Sequence, residues 1–205
     1  MKPERSKKIE QGDATREALI AAARDLFGTQ GYAATSLDEV VRCAGVTKGA
    51  LYHHFAGKQQ LFLAVFEAVK KELSREVFPV EIANDDVWRD LIGRCRSFIE
   101  KHTDPRVQRI VLIDARSVLS WDDWRKIDSD YGVVMLRAGL RRAVHRGLIA
   151  PLPLHSLAAM LAGALTEACL LVSNAEDRIV AIEEAVVIVE RFLRGLRSSE
   201  TGGGS

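Results

Sequence analysis

Apolar residues recur every three or four positions along most of this chain, and strand-like alternation is almost absent. From Asp13, a good N-cap, Leu19, Ala22, Ala23, Leu26 and Phe27 make one helical stripe that Gly31 ends. Leu37, Val40, Val41 and Ala44 make a second, opened by Thr35 with Asp38 or Ser36 with Glu39 as a capping box and closed by Gly45. Val46 and Thr47 leave room only for a tight turn before a third short helix, whose Leu51 and Phe55 point inward one turn apart. A longer helix is predicted over 58–77, with Leu61, Phe62, Val65, Phe66 and Val69 inside and Pro79 as its stop. Helices are also predicted over 85–102, 105–118 behind Pro105, 121–146 behind a Ser120/Asp123 box, 154–174 and 177–196. The fold class is all-α. The polar residues 1–12 read as a flexible basic arm and 13–58 as a three-helix helix-turn-helix domain. Residues 59–197 read as a larger helical domain and 198–205 as a flexible tail.

Charge narrows the partners only slightly. The formal net charge of +1 excludes a protein that coats nucleic acid by bulk basicity, while leaving room for a local basic patch. Cys43, Cys95 and Cys169 lie far apart with no CxxC pair, so neither a disulfide framework nor a zinc site is suggested, and a reducing cytoplasm fits. The first residues are basic without an apolar run, which does not read as a signal peptide. No stretch reads as approaching membrane-spanning length, so the expectation is a cytoplasmic chain with no membrane partner.

The segment GVTKGALYHHFAGKQQLF, Gly45 to Phe62, carries the most informative chemistry. On a helix starting after Thr47, residues Lys48, Gly49, Tyr52 and His53 share one face, opposite Leu51 and Phe55. Exposed, such a face gains nothing from packing, yet each residue has a use against DNA. A lysine donates to guanine acceptors, a tyrosine offers its ring to a thymine methyl and its hydroxyl to a phosphate, and a glycine lets the backbone approach. The three helices then form a helix-turn-helix whose third member is the recognition helix. The plainer reading is a similar corner with a solvated polar face and no nucleic acid.

The stretch TSLDEVVRCAGVTKGALYHHFAGKQQLF, preceded by LFGTQGY, resembles the N-terminal domain of TetR/AcrR-type transcriptional regulators over residues 13 to 66. The resemblance implies that Ser36, Thr47, His54 and Lys58 hold phosphates and that Lys48, Gly49, Tyr52 and His53 lie nearest the bases. His53 departs from the aromatic residue common at that position. Through residue 60, nine Lys and Arg face seven Asp and Glu, a net +2, so affinity must lean on the arm (Lys2, Arg5, Lys7, Lys8) or on doubling by a dimer. The arm is equally readable as inert.

Other residues invite weaker stories. Adjacent helix positions diverge by roughly 100°, so His53 and His54 do not chelate one ion, and no metal or cofactor is implied. No nucleophile, phosphate loop or paired-carboxylate motif argues for an enzyme, so no catalytic residue is assigned. Cys43 reads as inert packing or as an oxidant sensor beside the corner. The last two helices carry apolar faces, Leu157, Leu161 and Leu165, then Ile182, Val186, Val189, Phe192 and Leu196. These either complete a core or, as the resemblance implies, join two copies through a four-helix bundle, presenting two recognition helices to a palindromic operator in double-stranded DNA.

In the middle helices Arg94, Arg96, Asp114 and Glu167 interrupt apolar runs, with Trp88, Phe98, Trp121, Trp124 and Tyr131 near in sequence. The carboxylates either pair with Arg94, Arg116 or another internal base, or lie on helix edges, or line a cavity for a small hydrophobic ligand. The expected ligand-binding set is Trp88, Arg94, Phe98, Asp114, Trp121, Trp124, Tyr131 and Glu167. The reading that results is a homodimeric, ligand-responsive transcriptional repressor with a helical C-terminal ligand-binding and dimerisation domain. A DNA-binding scaffolding dimer without a ligand is the alternative.

Overall fold

The computed structural model describes residues 3–78 and 86–197, with side chains from Gln11 onward. Among these residues all regular structure is helical: α1 Pro3–Ala34, α2 Leu37–Ala44, α3 Lys48–His54, α4 Lys58–Val77, α5 Val87–His102, α6 Pro105–Gln108, α7 Ala115–Val118, α8 Trp121–Asp128, α9 Val134–His145, α10 Leu154–Ser173 and α11 Arg178–Arg194. Two π-helical turns interrupt the predicted long helices, Arg109–Asp114 between α6 and α7 and Ser129–Val133 between α8 and α9. The tail and Pro79 lie outside the described residues, as does Lys2 of the arm.

Helix α1 starts at Pro3, ten residues before the Asp13 cap expected from the apolar stripe. Residues 3–12 carry no stripe, which is why they read as an arm, but Pro suits the first helical position and Glu, Arg, Lys and Gln are good helix formers. The chain falls into two compact units. The first holds residues 1–69 with 105–124; the second holds 70–104 with 125–205. The division between the two units thus falls within α4, after Val69, and 105–124 group with the first 69 residues.

The first unit is built around aromatic packing. Phe27 and Phe62 meet edge to face at 5.2 Å, Tyr32 meets Phe62 at the same distance, and Leu19, Val40, Leu51, Leu61 and Phe66 are buried around them. At Gly31 the backbone of α1 leaves helical geometry, with φ 86° and ψ 168°. That left-handed region suits glycine, and a Cβ there would also press against Arg109 and Asp114. The kink is secured from both sides. The Thr35 hydroxyl donates to the Gly31 carbonyl at 2.8 Å, and the Tyr32 amide donates to Asp114 Oδ2 at 2.8 Å. Asp114, expected in a ligand cavity, instead closes the backbone of α1 from the π-helical turn.

The second unit packs α10 against α5, α9 and α11 through Leu161, Leu165, Cys169 and Val172. Asp90 lies between two arginines: Arg94 Nε donates to its Oδ2 at 2.9 Å and Arg142 to the same oxygen. Arg96 clasps Glu183 with both guanidinium arms, tying α5 to α11. Helix α10 corrects one expectation, since its 20 residues include an 18-residue window of mean hydropathy 1.7 and are long and apolar enough to cross a membrane by length and composition. Leu and Ala dominate it, and Glu167 is its one acidic residue.

Replacing Asp114 by Ala strands the partly buried Tyr32 amide and should lower stability by about 1–3 kcal/mol. Glu167→Ala, at an exposed site, should stay within about 0.5 kcal/mol. Urea unfolding of both variants measures the contrast.

Candidate functional site

The corner between α2 and α3 is fixed by local chemistry. Ser36 caps α2, its hydroxyl accepting the Glu39 amide at 3.1 Å, which decides between the two capping boxes. Gly45, at φ 65° and ψ 29°, turns the chain, and the amides of Gly45 and Val46 return to Arg42 and Val41. Thr47 then caps α3, accepting the Ala50 amide at 3.2 Å. With Leu51 and Phe55 buried beneath it, α3 leaves Lys48, Gly49, Tyr52 and His53 exposed, Tyr52 at 52%. The structure therefore brings together the four residues expected nearest the bases.

The side chains of this face are partly engaged. Lys48 Nζ lies 2.6 Å from Asp38 Oδ1 in an exposed pair, and this hydrogen bond holds the lysine pKa above its usual value. Among the phosphate candidates, Ser36 and Thr47 are exposed caps and His54 is half-buried, its ring near that of Phe55. Lys58 turns inward: its Nζ donates to the Ala33 carbonyl at 3.3 Å and sits 4.3 Å from the centre of the Tyr32 ring. Burial lowers its pKa, opposed by the Asp114 charge. The rings of His53 and His54 stand 5.2 Å apart at 76°, and among the described residues no three His, Cys, Asp or Glu side chains gather into a metal site. Cys43 is exposed on α2 rather than packed.

Gly49 is informative because the fold does not require it. A Cβ there would meet only Thr47 Oγ1, at 3.9 Å. A glycine on an exposed helix where alanine fits weakens the helix by roughly 0.5–1 kcal/mol, and no close contact in this fold requires it.

The second unit contains a small cavity, with room for about one water molecule, lined by Lys70, Leu73, Ser74, Val77, Phe78, Phe98, His102, Tyr131 and Gly132. Of the eight residues expected around a ligand, it gathers only Phe98 and Tyr131. Trp88 lies between α5 and α11, with Nε1 donating to Glu190 and Arg197 over its ring. Arg94 is bound to Asp90, Asp114 to the Tyr32 amide, and Glu167 is exposed. Trp121 and Trp124 stack at 5.4 Å within the first unit. The sequence reading grouped aromatic residues by nearness in sequence, and helix packing separated them.

The polar members it missed are Lys70, Ser74 and His102, all buried. Lys70 sits four residues after Phe66 and three before Leu73 on the inner stripe of α4, a lysine where the period demands an apolar residue. Its Nζ donates to Asp128 Oδ1 at 2.8 Å. His102, 2% exposed, stacks on Phe98 at 3.8 Å, and its Nδ1 donates to the Phe98 carbonyl at 2.9 Å. Its Nε2 is buried without a hydrogen-bond partner. Burial, helped by the Lys70 charge, lowers the imidazole pKa to about 3, so the ring is neutral.

Two family descriptions match this arrangement: "Bacterial regulatory proteins, tetR family" over residues 19–65 and "Tetracyclin repressor-like, C-terminal domain" over residues 88–196. The chain belongs to the TetR family. A crystal structure of a TetR-family transcriptional regulator from Pectobacterium atrosepticum is 33% identical, with a TM-score of 0.78 over 93% of this chain and 97% of that one. The transposon Tn10 TetC protein of Escherichia coli is 31% identical over 119 residues, 57% of this chain and 59% of its own length. The chain thus spans less than two thirds of that curated relative. RolR, in a complex with resorcinol, shares the fold at 18% identity, with a TM-score of 0.70 over 96% of this chain and 100% of that one. The TetR family consists of DNA-binding transcriptional regulators, not enzymes.

As a TetR-family interface, the α3 face predicts opposite signs for one substitution. Gly49→Ala should stabilise the protein by about 0.5–1 kcal/mol while weakening DNA binding roughly tenfold, about 1.4 kcal/mol. Thermal unfolding and DNA titration of the same preparation check both.

The cavity histidine predicts a pH effect. An unfolded histidine protonates near 6.5, whereas His102 in the folded chain resists protonation to about 3. Unfolding therefore takes up a proton between those limits, and stability falls as pH drops from about 6.5 toward 3, with no such contribution above. Lys70, paired with Asp128, and Tyr131 are the other titratable groups facing the cavity. In His102→Phe this contribution disappears, so the stability difference from the parent should be constant above pH 6.5 and shift in the variant's favour below it. Urea midpoints at several pH values measure it.

Proposed function

We propose that this TetR-family chain is a ligand-responsive repressor that binds a palindromic operator as a homodimer and leaves it when a small molecule occupies the second unit. The observation that carries the DNA reading is the exposed Lys48, Gly49, Tyr52 and His53 face with a glycine that the fold does not need. Lys48 exchanges Asp38 for a base edge, and Tyr52 supplies a ring and a hydroxyl. Ser36, Thr47 and His54 lie at the margin of that face and contact phosphates, while Lys58 braces the end of α1 and adds charge from behind.

The dimer reading rests on apolar residues left exposed on the last two helices. Met160 (75%), Leu171, Val187, Ile188 and Phe192 (63%) face solvent, a patch of the kind that marks interfaces. Of the face expected from sequence, Phe192 belongs to this patch. Leu161, Leu165, Val186 and Val189 are buried within the single chain, so an aspartate at Leu165 or Val189 would test folding, not dimerisation.

The ligand reading rests on the cavity with its orphaned His102 nitrogen, and RolR with resorcinol illustrates a one-ring guest in this fold. The cavity has room for about one water molecule, far below the roughly 300–1,000 Å³ of ordinary ligand sites, which favours a ligandless dimer as the second reading. A ligand lowers operator affinity only by as much as it prefers one conformation over another, typically about 1–3 kcal/mol, or roughly five- to 150-fold.

The test begins with operator selection from random duplexes by the full chain. Lys48→Ala should then cost about 1–3 kcal/mol and relax preference at one base step, whereas Ile188→Asp with Phe192→Asp should give folded monomers that lose tight binding. Uniform weakening by Lys48→Ala refutes the base-reading assignment, and an unchanged dimer by light scattering refutes the interface.

A further inference from the structure

Two acidic side chains stand in the first turn of α2, where either suits the start of a helix. Glu39 is half-buried and accepts a hydrogen bond from Gln30 Nε2 at 2.8 Å, inside the first unit. Asp38 instead points outward, its side chain 71% exposed, and its Oδ1 lies 2.6 Å from Lys48 Nζ. The second residue of α2 and the first of α3 are thus joined across the corner that Ser36 and Thr47 cap. An exposed ion pair of this kind adds little to stability and exchanges readily. In a helix-turn-helix the first residues of the recognition helix approach base edges, and Lys48 opens α3. Asp38 therefore stands beside whatever edge Lys48 reads.

Once Lys48 turns to a base, the Asp38 carboxylate is left facing a polyanion, an unfavourable position unless a donor meets it. The major groove offers two kinds of donor, the amino groups of cytosine and of adenine. We propose that Asp38 is a specificity-determining residue of this interface: its carboxylate accepts the amino hydrogen of a cytosine while Lys48 donates to the paired guanine. The proposal rests on the DNA reading above and names one base pair that the interface selects. Across the groove a G·C pair presents two acceptors and then a donor, guanine N7 and O6 followed by cytosine N4. An ammonium beside a carboxylate is the complement of that order. An A·T pair leaves the lysine a single purine acceptor and brings thymine O4, another acceptor, against the carboxylate, while a reversed C·G pair puts the donor on the lysine's side. On any other sequence Asp38 either keeps Lys48 neutralised or, once abandoned, repels the phosphates, so it also lowers binding to unrelated DNA.

The experiment titrates the full chain with the duplex it selects from random sequence, with every single-base-pair change of that duplex, and with an unrelated duplex at several salt concentrations. The parent should prefer one G·C pair in each half-site over both A·T and C·G. In Asp38→Ala that preference should shrink about tenfold, the lower part of what one side chain paired to a base contributes. The same variant should bind the unrelated duplex more tightly, with a salt dependence steeper by about one per monomer as Lys48 becomes free for a phosphate. Asp38→Asn, whose amide oxygen still accepts, should keep part of the G·C preference. A role confined to starting α2 would lower the thermal stability of both variants and leave base preference intact. Unchanged discrimination at every position in a folded Asp38→Ala or Asp38→Asn protein therefore overturns the proposal. If Lys48→Ala relaxes a base preference that Asp38→Ala leaves alone, the DNA reading stands and this assignment falls. If the parent selects no sequence at all, both fall.

Discussion

The hydrogen bond from the Tyr32 amide to Asp114 holds the point on which the first unit turns. Helix α1 must stop and redirect the chain so that α2 and α3 form their corner, and it does so through a backbone conformation that only glycine adopts cheaply. A kink of this kind leaves amides without helical partners, and a buried amide needs an acceptor. Asp114 supplies one, and the Thr35 hydroxyl secures the Gly31 carbonyl. Lys58, lying over the Tyr32 ring, brings a positive charge near the same carboxylate. The exposed face of α3 is thus oriented by residues that lie outside it, buried or half-buried behind the corner.

In the second unit the buried polar groups are answered to different degrees. Asp90 between Arg94 and Arg142 is a closed arrangement, every charge answered. Around the cavity, Lys70 is answered but His102 only in part. Helix α4 carries this change along its own length. Up to Val69 its inner stripe is wholly apolar, and beyond it the stripe admits Lys70 and Ser74.

How far these arrangements could be read beforehand depended on how local their causes are. The corner was legible because caps, turn and buried residues fall within about twenty positions: Ser36, Gly45, Thr47, Leu51 and Phe55 all lie where spacing placed them. Helix α1 was legible from its stripe but not at its start, since residues 3–12 form helix without one. Asp114 was recognised as an anomaly in an apolar run, and its true partner stands 82 positions away, beyond any periodicity. The π-helical turns likewise leave no mark in a pattern of three and four. Lys70 did leave one, a lysine in register with Phe66 and Leu73, whereas His102 looked like an ordinary polar helix end.

Asp114's place in the first unit also redefines what can be exchanged between regulators of this family. A graft that transferred only the first 58 or 69 residues to another regulatory half would carry Gly31 and leave behind the carboxylate that its bend relies on. The compact unit around the helix-turn-helix is discontinuous, residues 1–69 together with 105–124, so the two units are interleaved along the sequence although each is compact in space.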